Sequence, residues 1–421
     1  MLDVSNSVDL SLYPDGTIFD PKDGLRIGGC RLDDVAREFG TPAYVLDEFS
    51  LRNRARRYIN AFRALHANSH IFFASKSFPS TPVIRVLAEE GCGVDVAAEG
   101  ELLMALRAGA DPARMVFHGN AKSDADVKAA IKANIGYFVI DNFDDVRRIK
   151  AFAERPVKAL LRVSPSIVAE THKSMATGHD ESKFGIPSVQ VADAISLIQA
   201  EPLIDLRGLH FHIGSQVLKL DQFEAAIEAV ARLPRFPVYD LGGGLGERYI
   251  RGDHAPSIEL YAERVVRAVH KHLGENVEII LEPGRSLIAK SGVSLYRVVT
   301  VKCGLRTHVA VDGGMGDNLE VSLYGQKFEP AMVKPGGRME ICDVVGRHCE
   351  SGDTLAVNAP LNDPQVGDLL VVPVTGAYCF TMANNYNAAL KPPVVFCSGG
   401  RSRLAVRRET FDDLIARDVL N

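Results

Sequence analysis

The sequence predicts an α/β chain built as a (β/α)8 TIM-like barrel followed by a β-rich C-terminal domain. Three observations carry this expectation. From about residue 45 to 285, short apolar runs alternate with amphipathic helical stretches, about eight times in roughly 250 residues. The runs are five or six residues long without strict alternation, as strands buried on both faces of a parallel sheet require. After about residue 294 helical periodicity gives way to β-rich runs punctuated by Gly and Pro.

The barrel strands are read, in order, at 71-IFFAS, 93-GVDVA, 115-MVFHG, 137-YFVID, 158-KALLRV, 206-LRGLHFH, 236-FPVYDLG and 278-EIILEP. Helix patterns lie between them at Thr81–Glu90, Gly100–Gly109, Asp124–Ala133, Val189–Ala200, Phe223–Leu233 and Ile258–Leu273. A doubly wound open sheet is the competing architecture. Later strands are expected at 295-LYRVVTVKCG, 308-HVAVDGG, 338-RMEICDVVG, 354-TLAVNAP, 369-LLVVPVTGAY, 393-PVVFCSGG and 403-RLAVRR, then a helix at Thr410–Arg417. The expected domains are 41–290 for the barrel and 291–421 for the β-rich part, which residues 1–40 are expected to join.

With 421 residues, two domains are the default. A hydrophobic content of 46%, a charged content of 24% and a net charge of -5 describe a soluble globular protein with no basic face for nucleic acid. No apolar stretch approaches the roughly 20 residues that cross a bilayer, and the first residues lack the pattern of a signal peptide. Seven cysteines are scattered without CxxC pairs. That usage points away from a disulfide framework or zinc site and toward a cytoplasmic, reducing setting.

Chemistry gathers at the strand ends, where parallel barrels build their active sites. The ends carry Lys76, Asp95, His118, Asp141, His212, Gly242–Gly244 and Glu282. Lys76 closes an apolar run, a position suited to forming an imine, although a lysine there is more often an ordinary solvated side chain. In 208-GLHFHIGSQ the strand period places His210 and His212 on one face, which allows a metal reading. No cluster at ligand spacing completes a metal shell, so no metal is expected. One imidazole can instead lie flat on an aromatic cofactor, and Ser215 offers a hydroxyl to a phosphate. The glycine turn 240-DLGGGLG brings backbone N–H groups to an anion, or is simply a tight turn. In 282-EPGRS a buried Glu282 needs a partner, either a protonated ring nitrogen or Arg285. A lysine amine, a carboxylate, a flat side chain and Gly/Ser/Arg donors are together what pyridoxal 5′-phosphate needs.

A barrel and β domain carrying this set resemble the alanine racemase/ornithine decarboxylase-like family of pyridoxal-phosphate enzymes. Within that fold the chain is most similar to the diaminopimelate decarboxylases. The resemblance rests on 171-THKSMATGHDESKFGI, 208-GLHFHIGSQ, 240-DLGGGLG, 282-EPGRSL, 311-VDGGMGDN, 346-GRHCESGD, 375-TGAYCF and 406-VRRETFDDL, and it covers nearly the whole chain. It implies a carboxy-lyase of lysine biosynthesis that converts meso-diaminopimelate to L-lysine and CO2. It implies that Lys76 carries the cofactor, His212 stacks on its ring and Glu282 pairs with its ring nitrogen. Ser215, Gly243, Gly244, Gly284, Arg285 and Tyr378 would surround the phosphate, with Arg285 and Tyr378 also reaching substrate; Asp95 joins the cofactor set and Tyr324 the substrate set. A homodimer with shared active sites is implied, Cys349 and Glu350 reaching in from the other subunit. Cys349 would give the proton and Glu350 would recognise an ammonium group.

One position departs from the resemblance. The family reads DN-x-RPALYG where this chain has 317-DNLEVSLYG, so Glu320 stands where an arginine holds the distal carboxylate. Either Lys327 or Arg285 takes that carboxylate with Glu320 turned outward, or the substrate is another D- or L-diamino acid, or a modified diamino acid, without it. A non-catalytic pyridoxal-phosphate-binding protein is the alternative of another class.

Overall fold

The computed structural model describes residues 8–20, 22–165, 182–334 and 336–420. The chain folds as two compact units: Arg52–Glu247 with Ala255–Leu287, and Met1–Leu51 with Arg248–His254 and Ile288–Asn421.

The first unit is a closed barrel of eight parallel strands. They are β1 (Ser69–Ala74), β2 (Gly93–Val96), β3 (Met115–Phe117), β4 (Tyr137–Ile140), β5 (Val157–Arg162), β6 (Ile204–His210), β7 (Val238–Asp240) and β8 (Glu278–Leu281). Neighbours in sequence are neighbours in the sheet, and β8 closes on β1 through the register Ile280 to His70. The open-sheet alternative is therefore excluded. All eight expected runs contain a strand. Helices follow at Thr81–Glu89, Glu99–Ala108, Asp124–Ala133, Phe143–Phe152, Val191–Gln199, Asp221–Val230 and Ile258–His272.

The helix starts are set by short polar side chains. Ser80, Ser123, Asn142 and Ser257 each accept a backbone N–H of the first turn. Ser123 and Asp126 complete a reciprocal capping box. Inside the barrel, Phe72, Val116, Val139, Leu160, Val238 and Ile280 form one buried cluster drawn from six strands. The remaining two strands carry glycines where the space is already filled. A Cβ on Gly208 would lie 2.0 Å from the Val238 carbonyl oxygen, and one on Gly93 would lie 2.6 Å from the Phe72 ring. Two glycines thus leave room for the large side chains that fill the interior, each buried apolar side chain contributing about 1.5–3 kcal/mol.

The second unit is β-rich. A three-stranded antiparallel sheet is formed by Ile18–Asp20, Gly24–Ile27 and Cys30–Arg31. A nine-stranded sheet has Ala43–Asp47 at its centre, antiparallel to Gly292–Lys302 and parallel to Val394–Ser398. All five residues of Ala43–Asp47 are buried, which is why that run reads as apolar. Among the described residues no helix is long and apolar enough to cross a membrane.

Candidate active site

The C-terminal ends of the barrel strands bring a set of polar groups together. Lys76 sits in the short turn Ser75–Ser77 that ends β1. Its charge is felt at Asp95, on β2, and at His212, just beyond β6. Gly284 follows β8 and packs against that turn: a Cβ there would meet the Cβ atoms of Ser77 at 3.1 Å and Ala74 at 3.2 Å. Only a glycine leaves the lysine turn undisturbed.

Glu282, immediately after β8, is 6% exposed. Its Oε1 lies 2.5 Å from His118 Nε2, and its Oε2 lies 3.5 Å from His210 Nε2. Burial acts to raise its pKa, but the two histidines hold the carboxyl well below its ordinary value. His118 also approaches Asp95, at 3.6 Å. Burial pushes Asp95 up to about 6, with Glu282 adding to the rise and His118 and Lys76 opposing it. Asp240, at the end of β7, is raised well above the carboxylate range by burial and by the charge of Glu282. Of the three carboxylates, the one after β8 is therefore held most firmly in its ionised form, and Asp240 least.

The other end of the cluster is rich in N–H donors. Gly243 donates its backbone N–H to His212 Nδ1 at 3.2 Å. Burial, then the cations Lys76 and Arg162, hold His212 well below its ordinary pKa. The imidazole is accordingly neutral, its proton assigned to Nε2 by the bond at Nδ1. Arg285 donates from Nε to Ser215 Oγ at 3.3 Å. The glycine turn fits tightly: a Cβ on Gly243 would lie 2.1 Å from the Glu282 carbonyl oxygen, and one on Gly244, at φ 113°, 2.3 Å from that of Gly214.

His118, His210, Asp240 and Glu282 offer ligand atoms that all lie within 4.8 Å of one another, a cluster that sequence spacing alone does not reveal. The His118–Glu282 separation is nevertheless that of a shared proton. Two ligands about 2.1 Å from a tetrahedral ion lie about 3.3 Å apart, not 2.5 Å. For pyridoxal phosphate the donor set fits. A neutral flat ring, an ionised carboxylate at the far wall, and a hydroxyl, a guanidinium and glycine N–H groups occupy successive strand ends.

Arg162 and Asp240 carry no role in the sequence reading. Both close strands, and Arg162 lies 3.5 Å from Asp141, whose carboxylate also accepts the Gly185 N–H. Their strand-end position was the available signal. Of the stretch 171–186, residues 171–181 lie outside the described residues.

Five of the expected residues belong to the β-rich unit. Cys349 and Glu350 are exposed on the loop of 346-GRHCESGD. That loop is braced by Asp353, whose carboxylate accepts the N–H groups of Met315 at 2.6 Å and His348 at 2.7 Å. Cys349 N–H donates to Asn387 Oδ1 at 2.8 Å. Tyr378 is partly exposed and holds a left-handed φ of 64°, and Tyr324 is partly exposed at the end of the helix Glu320–Tyr324. Glu320 opens that helix and is 1% exposed. An outward, solvated Glu320 is thereby ruled out.

Residues 50–289 match the family model of the pyridoxal binding domain of pyridoxal-dependent decarboxylases, the class that this barrel and its donors fit. A diaminopimelate decarboxylase of Actinosynnema pretiosum subsp. auranticum is 41% identical over 98% of this chain and 96% of its own length. That of Staphylococcus aureus (strain COL) is 37% identical over 94% and 97%. The crystal structure of diaminopimelate decarboxylase from M. jannaschii in co-complex with L-lysine superposes with a TM-score of 0.91 at 30% identity, covering 97% of this chain and 98% of that one. The chain belongs to the diaminopimelate decarboxylase family of pyridoxal-dependent decarboxylases.

Proposed function

We propose that this chain removes CO2 from meso-diaminopimelate to give L-lysine. The observation that carries the reading is the buried Glu282, 2.5 Å from His118 and 3.5 Å from His210, within the family's cofactor domain. Lys76 would hold pyridoxal phosphate through its amine, with Asp95 at the same wall and His212 flat on the ring. Ser215, Gly243, Gly244, Gly284 and Arg285 would surround its phosphate. The bound cofactor supplies a sink for the electron pair that departing CO2 leaves behind. Glu282 keeps a proton on the ring nitrogen, which deepens that sink. His118 Nε2–H keeps Glu282 ionised. His212, neutral, would lie against the ring without adding charge, and the Lys76 amine would be the cofactor's point of attachment.

The site is completed in a homodimer. Cys349 of the partner subunit delivers the proton to the former Cα, and Glu350 of the partner subunit meets an ammonium group. The exposure of both residues on a braced loop supports this arrangement. The seven cysteines stand as thiols, in keeping with a cytoplasmic setting.

The buried Glu320 favours a second reading, in which the substrate is a diamino acid without the distal carboxylate. CO2 release by the cofactor-loaded protein separates the two. The panel is meso-diaminopimelate, L- and D-lysine, and L- and D-ornithine, with Lys76→Ala as blank. Turnover of meso-diaminopimelate alone is the expected result. Turnover confined to a lysine or ornithine isomer would establish the second reading, and cofactor binding without any turnover would leave a binding protein.

A further inference from the structure

At the N-terminal ends of the same strands, away from the site above, the barrel floor holds a basin of about 650 Å³. Its wall includes four cations, Arg63, Arg114, Arg155 and Lys158, and a single carboxylate, Glu278. That carboxylate is already engaged, accepting a hydrogen bond from Tyr137 Oη at 3.3 Å. The cations are not neutralised in return. Arg114 donates to the Gly91 carbonyl at 2.6 Å and Arg155 to Asn134 Oδ1 at 2.8 Å, both uncharged acceptors. Among the described residues none of the four forms an ion pair. The field is felt nearby. Burial lowers the pKa of His70, and Arg114 and Arg63 lower it further against the opposing charge of Glu278.

A concave surface with one sign of charge and low-dielectric walls focuses potential and concentrates counter-ions. Three guanidinium forks and an ammonium around one basin also match oxyanions with several acceptor atoms. We propose that the barrel floor binds a small polyanion, a metabolite bearing two or more phosphate or carboxylate groups, at a site separate from the cofactor. The two sources of negative charge share this chemistry and differ only in the probe that reveals them.

The test is isothermal titration of the cofactor-loaded protein with inorganic triphosphate and with citrate, against sodium sulfate at matched ionic strength. The cofactor absorbance is followed in parallel. We expect one saturable event per chain for at least one probe, weakening as salt is raised, with the cofactor band unchanged. Substituting Arg155→Gln and Lys158→Gln together weakens it by about five- to tenfold for each charge removed, and Glu278→Gln tightens it. Triphosphate preference identifies a phosphorylated ligand and citrate preference a polycarboxylate. Heat no greater than that of sulfate, equal affinity in the double variant, or displacement of the cofactor band would each overturn the proposal. The variants lie at the opposite strand ends from Lys76, so decarboxylation is read separately.

Discussion

His118 Nε2 donates to Glu282 Oε1 across 2.5 Å, joining the ends of β3 and β8 inside a buried cluster. A carboxylate in that position would take up a proton on burial alone. The imidazole reverses the balance.

Removing the donor therefore moves Glu282 toward its neutral form. In His118→Phe the remaining dominant influence, burial, raises the Glu282 pKa. We expect kcat/KM on the preferred substrate to fall by about 10- to 100-fold at neutral pH, the loss of a charge-assisted bond of roughly 1.5–3 kcal/mol. Because the carboxyl must ionise to act, the deficit should be larger at pH 6 than at pH 9. His118→Gln, which still offers an N–H, should recover part of the loss. A pH profile of kcat/KM for both variants checks this; equal deficits at both pH values would mean that His118 serves packing alone.

Glu282→Gln keeps the shape of the side chain and removes the charge. The variant should retain bound cofactor, since the Lys76 amine and the phosphate donors are untouched by an isosteric change, while kcat falls by about 10²- to 10³-fold. Cofactor absorbance together with single-turnover CO2 release separates the two effects. Loss of the cofactor itself would assign Glu282 to binding instead.

Gly243→Ala tests the glycine turn. The new methyl would lie 2.1 Å from a main-chain oxygen of Glu282, an atom that cannot swing aside. The turn must shift, at a cost of about 1–3 kcal/mol, and its N–H moves with it. A lowered melting temperature and a weaker affinity for pyridoxal phosphate are expected together. If stability falls and affinity does not, the N–H of Gly243 does not hold the phosphate.

Mixing two inactive variants tests the shared site. Lys76→Ala lacks the cofactor amine, and Cys349→Ala lacks the proposed proton donor. If each site takes Lys76 from one subunit and Cys349 from its partner, random re-association puts one intact site in each mixed dimer. Recovery of about a quarter of wild-type turnover follows for an isologous dimer. No recovery after verified exchange would place both residues on the same subunit.

The barrel was legible because most of its strands hold a short buried apolar stretch, 71–74 and 279–281 being the clearest cases. The strand Ala43–Asp47 reads the same way, and local pattern could not say that it pairs with residues some 250 and 350 positions later. Lys76, His212 and Glu282 stood out as strand-end groups. The pairing of His118 with Glu282 did not, since 164 residues separate them and only barrel closure joins them. Arg162 was hidden for a simpler reason: an arginine closing a run is usually a solvated end, and here it is buried.

Asp317, from the 311-VDGGMGDN stretch, gives a stability prediction in the β-rich unit. It is buried and accepts from Tyr296 Oη at 2.5 Å and from Gly314 N–H at 3.1 Å. Burial nevertheless dominates and pushes its pKa up to about 7 from 3.8. The folded chain thus binds a proton that the unfolded chain releases near pH 4. This group's contribution to stability is whole below pH 4, declines as pH rises toward 7, and is absent above. Asp317→Asn has no such proton. Relative to wild type the variant should gain roughly 1–4 kcal/mol between pH 5 and pH 8. Urea midpoints of both proteins at the two pH values measure the change, and other titrating groups cancel because both proteins share them. A constant gap between variant and wild type would mean that the two hydrogen bonds, not burial, set the ionisation of Asp317.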